Sequence, residues 1–153
     1  HEEANVRQAL VIAGGVDKPV GGFDSSAQLL DTGLFEDAGF SHLHVAGHPE
    51  GSPNIDGESL LDALKWKNDY AKHSGAEVAI TTQFGFDSSA IVSWMEELRD
   101  HGITLPIHVG VAGPTNLPTL LRFALLCGVG PSLSMIQTRA KDVSNLILPY
   151  EPS

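Results

Sequence analysis

The run Ala79-Ile80-Thr81-Thr82-Gln83-Phe84-Gly85-Phe86-Asp87 turns from apolar to polar within a few residues. Val78 and Ile80 are β-branched and suit a buried strand, while Asp87 or Ser88 can cap a following helix. Ligand sites in α/β folds gather where a strand's C-terminal end becomes polar and hands over to a helix. Gln83 carries one acceptor and two donors and does not titrate, so it suits reading a ligand by hydrogen bonds rather than acid–base work. The plainer alternative is that it satisfies neighbouring backbone groups. His42 and His44 alternate with Leu43 and Val45, and His108 lies in a later apolar run. Imidazoles at i and i+2 on one strand face, joined by a third from another strand, could share a metal, which makes a metal-dependent hydrolase the main alternative enzyme. Acidic partners for such a site are not evident nearby in sequence.

Other residues have a structural and a functional reading side by side. Asp17 precedes Lys18-Pro19 and could be a turn residue or a charged group at a strand end. His48 and Glu50 sit in a polar loop. Lys67 lies on a helix face that is otherwise charged, where solvation is the ordinary outcome. Phe123 falls on an apolar helical stripe and so fits a core as well as a ligand. Cys127, the single cysteine, reads as a small buried hydrophobe.

These residues need elements to hold them. Ala9–Ala13 is a short apolar run closed by Gly14-Gly15, as a buried parallel strand requires. Ser25 or Ser26 can cap one helix carrying Leu29, Leu30, Leu34 and Phe35, closed by Gly39. A second strand spans Ser41–Gly47, and a helix of about 15 residues starts near Asp56 with Leu60, Leu61 and Leu64 on its stripe. The third strand is the polar-ended one, followed by a helix with Ile91, Trp94, Met95 and Leu98 at i, i+3, i+4 and i+7, ended by Gly102. Leu105–Val111 forms the fourth strand, and Thr115 is the expected cap of a last helix running through Leu120, Phe123 and Leu126 to Gly128. Beyond it a short helix is expected over 134–146, then an extended tail with Pro149 and Pro152.

Strand–helix units of about 30 residues with short polar loops specify a parallel sheet in an α/β fold. A doubly wound sheet and part of a TIM (β/α)8 barrel both meet that description. No G-x-G-x-x-G follows any strand, so the dinucleotide fingerprint is missing and the barrel is favoured. His44, Thr81, Gln83 and His108 fall where a barrel points side chains inward. The expectation is a single partial barrel domain over 1–153, with four units and a C-terminal tail at 129–153. Because four strands cannot close a barrel, and because the chain opens on His1, a piece of a longer protein is expected.

Composition narrows the partners. Nineteen acidic against nine basic residues, a formal charge of -10, leaves no basic stripe for nucleic acid. A small anionic ligand needs only a few local donors and stays open. No apolar run reaches the roughly 20 residues of a membrane span. One cysteine gives no internal disulfide framework, which fits a cytoplasmic location.

Several loops, taken together and in order, resemble the methylenetetrahydrofolate reductase family, a flavin-containing barrel. They are Gly15-Val16-Asp17, Val45-Ala46-Gly47-His48-Pro49-Glu50, Leu64-Lys65-Trp66-Lys67, Thr82-Gln83-Phe84-Gly85-Phe86-Asp87, Gly102–Ile107 and Gly113-Pro114-Thr115-Asn116. The resemblance implies hydride transfer from NADH or NADPH through FAD to methylenetetrahydrofolate, giving methyltetrahydrofolate. It implies Asp17 near flavin and pterin, Gln83 on the pterin edge, and Phe123 against the folate's aminobenzoyl ring or the nicotinamide. Ala46, His48 and Lys67 would lie along the flavin, with Lys67 at its pyrophosphate. The chain departs from the family pattern at Val16, His48, Ser52-Pro53-Asn54, Leu60, Ala63 and Trp66, mostly flavin-facing positions. The resemblance implies a catalytic glutamate on a first barrel strand, which is expected to lie outside these residues. A folate-binding module without catalysis is therefore a third reading. The remaining half of the barrel or a homo-oligomer is the expected protein partner.

Overall fold

The structure, a computed structural model, describes residues 5–13, 21–127 and 129. In chain order its elements are β1 (Gln8–Val11), α1 (Ser26–Leu30), α2 (Leu34–Asp37), β2 (His42–Gly47), α3 (Gly57–Ala71), β3 (Glu77–Phe84), α4 (Ser88–Asp100), β4 (Ile107–Gly110) and α5 (Leu117–Cys127). Asp17 and the expected helix over 134–146 lie outside the described residues, as does most of the tail.

All strand pairs are parallel, and the sheet order is β1-β2-β3-β4. Each strand therefore lies beside the next one in sequence, without the reversal of order that marks a doubly wound sheet. The fold is α/β, arranged as one side of a (β/α)8 barrel.

Strand alternation separates two faces. Leu43 and Val45 are fully buried, whereas His42, His44 and Ala46 between them are only half-buried. The buried face meets Leu30 of α1, Leu64 of α3 and Leu98 of α4, with Ile80, Ile103 and Leu105 completing the core. Each fully buried leucine or isoleucine contributes about 1.5–3 kcal/mol relative to exposure, so this face holds the helices on the sheet. The other face carries His44 and Thr81 and, on β1, an exposed Leu10.

Caps set the helix ends near the cleft. Asp56 accepts the backbone N–H of Ser59 at 2.9 Å and starts α3. Asp87 accepts from Ser89 and Ala90 at 3.0 and 3.1 Å and starts α4. The single helix expected from Ser25 to Gly39 is instead two. Gly33 takes a left-handed φ of 70° and donates to the Leu30 carbonyl, and the Thr32 hydroxyl bonds back to Leu29, so α1 ends early. α5 is capped by Asn116, whose Oδ1 accepts from Thr119 N–H at 2.9 Å, rather than by the neighbouring Thr115.

Candidate functional site

The C-terminal ends of β1, β2 and β3 and the first turns of α3 surround an open cleft of about 1060 Å³. Its wall includes Ala46, His48, Lys67 and Gln83, which come from one strand end, the loop after it, a helix and a second strand end. The structure thus brings four of the expected site residues to one space. Phe123 is not among the lining residues; it is 53% exposed on α5, while Leu120 and Ala124 on that helix are buried. The core reading of Phe123 fails for that reason. Cys127 is half-buried and reaches the cleft wall.

Lys67 departs most from its ordinary behaviour. On a solvated helix face it would point to water, but it is 6% exposed. No hydrogen bond or ion pair reaches its side chain among the described residues, whereas the exposed Lys65 of α3 and Lys72 at its C-cap pair with Asp62 and Asp69. The next residue, Asn68, is equally buried and is bonded through both its oxygen and its nitrogen. Its Oδ1 accepts from Thr104 N–H at 2.9 Å and its Nδ2 donates to the Gly102 carbonyl at 3.4 Å, tying α3 to the loop before β4. Asn68 is buried by a folding contact. Lys67 is buried facing a cleft with its charge unmatched, an arrangement suited to an anionic ligand. Burial holds its pKa below the usual lysine value. Burial, and then the nearby Lys67 charge, lowers that of His48, which favours a neutral imidazole beside the ammonium.

Close packing shapes the floor. A Cβ on Gly47 would lie 2.5 Å from Ile80 Cγ2 and 2.8 Å from Trp94 Cη2, so only glycine lets Trp94 of α4 approach β2 here. The His48 carbonyl accepts from Gly51 N–H at 3.0 Å, and Gly51, at φ 82°, closes the turn that carries His48 to the rim.

Gln83 sits where β3 is irregular. Thr81 pairs with His108 and Phe84 with Gly110, so β3 uses one more residue than β4 over this stretch. A bulge of this kind re-aims side chains and is common beside sites. Gln83 Oε1 is buried without a hydrogen-bond partner among the described residues. Such an acceptor is costly unless something fills it.

The histidines behave differently from the expectation of a metal site. His44 Nδ1 lies 3.1 Å from Thr81 Oγ1, the His44 and His108 rings stand 5.0 Å apart and tilted, and His42 Nε2 lies 3.4 Å from Glu77 Oε2. These partners divide the rings among a hydroxyl, a ring contact and a carboxylate, and no group of three or more metal-ligating side chains occurs among the described residues. The metal-dependent hydrolase reading is withdrawn on that geometry. Burial first, then the charges of His108 and His42, lowers the His44 pKa. Among the described residues no helix is long and apolar enough to cross a membrane.

Fold and cleft define a class, part of a (β/α)8 barrel with its polar cleft at the C-terminal strand ends. The sequence profile of the methylenetetrahydrofolate reductase family matches residues 14–143, and the chain belongs to that family. It is similar to methylenetetrahydrofolate reductase 1 of Schizosaccharomyces pombe, at 34% identity over 88 residues, covering 57% of this chain and 14% of the relative. It is also similar to methylenetetrahydrofolate reductase (NADH) 1 of Zea mays, at 31% identity over 113 residues, and to its namesake in Arabidopsis thaliana at 29%. Each of those alignments covers 70% of this chain and 19% of the relative, so the chain spans less than a fifth of the length of these curated relatives.

Two functional features were not legible in the sequence. The bulge that re-aims Gln83 has no signature beyond Gly110 at the end of β4. The burial of Lys67 against the cleft wall is set by tertiary packing, which a helical-face count does not reveal.

Proposed function

We propose that this chain forms the folate- and flavin-facing part of a reductase that converts methylenetetrahydrofolate to methyltetrahydrofolate with NADH or NADPH. The observation that carries the reading is the pairing, in one cleft, of an unfilled buried acceptor on Gln83 with the ammonium of a largely buried lysine, Lys67, that has no ion-pair partner among the described residues. A pterin offers N–H donors to the first, and a flavin dinucleotide offers a pyrophosphate to the second. The relatives named for NADH favour that donor over NADPH.

The residues present fit FAD in kind. Lys67 supplies the positive charge for the pyrophosphate, His48 a neutral ring beside it, and Ala46 a small side chain over which a flat ring system can lie. When bound, FAD would pass a hydride from the nicotinamide to the folate's one-carbon unit. The chain's own work is binding and orientation. Gln83 holds the pterin edge through its carboxamide and, lacking a titratable proton, fixes geometry without exchanging protons. Asp17, which follows β1 in sequence, would contribute a negative charge near the pterin, and Phe123, exposed on α5 outside the cleft wall, would offer an aromatic surface to an aminobenzoyl ring or nicotinamide that extends beyond the cleft. The remaining strands of the barrel, or a second copy, would complete the wall, in a cytoplasmic enzyme.

The test is to purify the protein, add FAD, remove free cofactor by gel filtration, and titrate methyltetrahydrofolate. Retained flavin absorbance together with folate binding supports the reductase. Folate binding without retained flavin would reduce the reading to a folate-binding module. Binding of neither ligand would contradict it.

A further inference from the structure

The β3 bulge raises a question that the cleft alone does not answer, namely what holds Gln83 in its re-aimed position. In a regular parallel ladder, Gly110 N–H would donate to a backbone carbonyl of β3. Here it donates to the side chain of Thr82, at 2.9 Å from Oγ1. The same hydroxyl gives its one proton to the Gln83 carbonyl, at 2.7 Å. Thr82 is 5% exposed, so no water shares this arrangement freely.

We infer that Thr82 is the positioning residue for Gln83: its hydroxyl replaces the missing ladder bond across the bulge and so presents the Gln83 carboxamide to the cleft. One side chain here does two tasks that only a hydroxyl can combine in so short a reach, accepting from β4 and donating within β3. Holding the Gln83 carbonyl fixes the peptide plane after Gln83 and, with the strand before it held in the ladder, restrains the ψ that sets the direction of its Cα–Cβ bond. Gly110 is the matching half of the device. A Cβ there would lie 2.6 Å from the Thr82 backbone oxygen and 3.0 Å from that of Gln83, so a side chain would force the strands apart. The effect on folate binding rests on the proposed function; the effect on Gln83 itself does not.

The experiment compares Thr82→Val, which keeps shape and removes the hydroxyl, with Thr82→Ser, which keeps the hydroxyl. Both are read by the hydrogen exchange of the Gly110 amide and by the NMR signals of the Gln83 side-chain NH2. Methyltetrahydrofolate affinity is then measured in a double-mutant cycle with Gln83→Ala. In Thr82→Val we expect faster Gly110 exchange, shifted or broadened Gln83 signals and about tenfold weaker folate binding. Serine should restore all three, and Thr82→Val should add nothing in the Gln83→Ala background. Unchanged Gly110 exchange and Gln83 signals in Thr82→Val would overturn the inference, and so would folate losses that simply add. If Gln83→Ala leaves folate affinity unchanged, the folate reading falls, and the Gln83 signals alone decide for or against Thr82. Should valine prevent folding, Thr82→Ser against Thr82→Ala gives the same comparison.

Discussion

Lys67 and Gln83 make the same kind of demand on the fold. Each places an unmatched polar group at the cleft, and removing the charge at Lys67 should relieve the molecule while disabling it. Lys67→Met is expected to raise stability by about 1 kcal/mol, a melting-point gain of roughly 2–4 °C, while weakening flavin retention. Calorimetry with and without FAD checks both signs, and a stability loss without any change in flavin would contradict them. His44 and His48 supply the pH dependence. Both have their pKa lowered in the folded state. The unfolded chain therefore binds more protons than the folded one just below its histidine pKa, about 6.5. The stability held by neutral imidazoles is complete above about pH 6.5 and is lost as pH falls through the lowered folded values. Melting curves from pH 7.5 to 5.0 should show that decline, and replacing His48 with Gln should make it shallower. At this scale the sequence was informative about identity and silent about environment. Gln83, His48 and Lys67 could be chosen as candidates, but the burial of Lys67 in the cleft wall and the orphan acceptor of Gln83 beside the β3–β4 register shift arise between segments far apart in the chain.

At the scale of elements, local signals fixed type and start more surely than continuity. Asp56 and Asp87 cap α3 and α4 as the sequence suggests, because a carboxylate before a helical stripe has strong local reasons to bond the first free N–H groups. The helix expected from Ser25 to Gly39 breaks because Gly33, unremarkable by composition, takes a left-handed conformation. Two predictions belong here. Asp87→Ala should cost about 1 kcal/mol by uncapping α4, measurable as a shift of the denaturation midpoint with unchanged slope. Gly47→Ala should cost more, about 1–3 kcal/mol, because its methyl would meet Ile80 and Trp94, and the packing of α4 on β2 would have to give. A Gly47→Ala protein as stable as the parent would show that this close approach is not what holds α4.

For the molecule as a whole, the sheet order decides the architecture. Unit spacing left two parallel folds open, and the order β1-β2-β3-β4 selects the barrel. Among the described residues, β1 and β4 are the outer strands of the sheet, and Leu10 and Ile12 near one edge and Val111 near the other are exposed. Unpaired parallel edges with apolar neighbours invite association. Sedimentation of the 153-residue chain should therefore show concentration-dependent self-association, whereas a monomer at all concentrations would mean these edges are protected.

The central claim is that Gln83 reads a folate in a cleft where Lys67 faces an anion. Calorimetric titration of methyltetrahydrofolate into the FAD-supplemented protein, and into Gln83→Ala, tests it most directly. The account predicts folate binding that weakens by roughly 5- to 150-fold in Gln83→Ala, as for loss of hydrogen bonds of about 1–3 kcal/mol, with flavin retention unchanged. Equal folate affinity in the two proteins would contradict it.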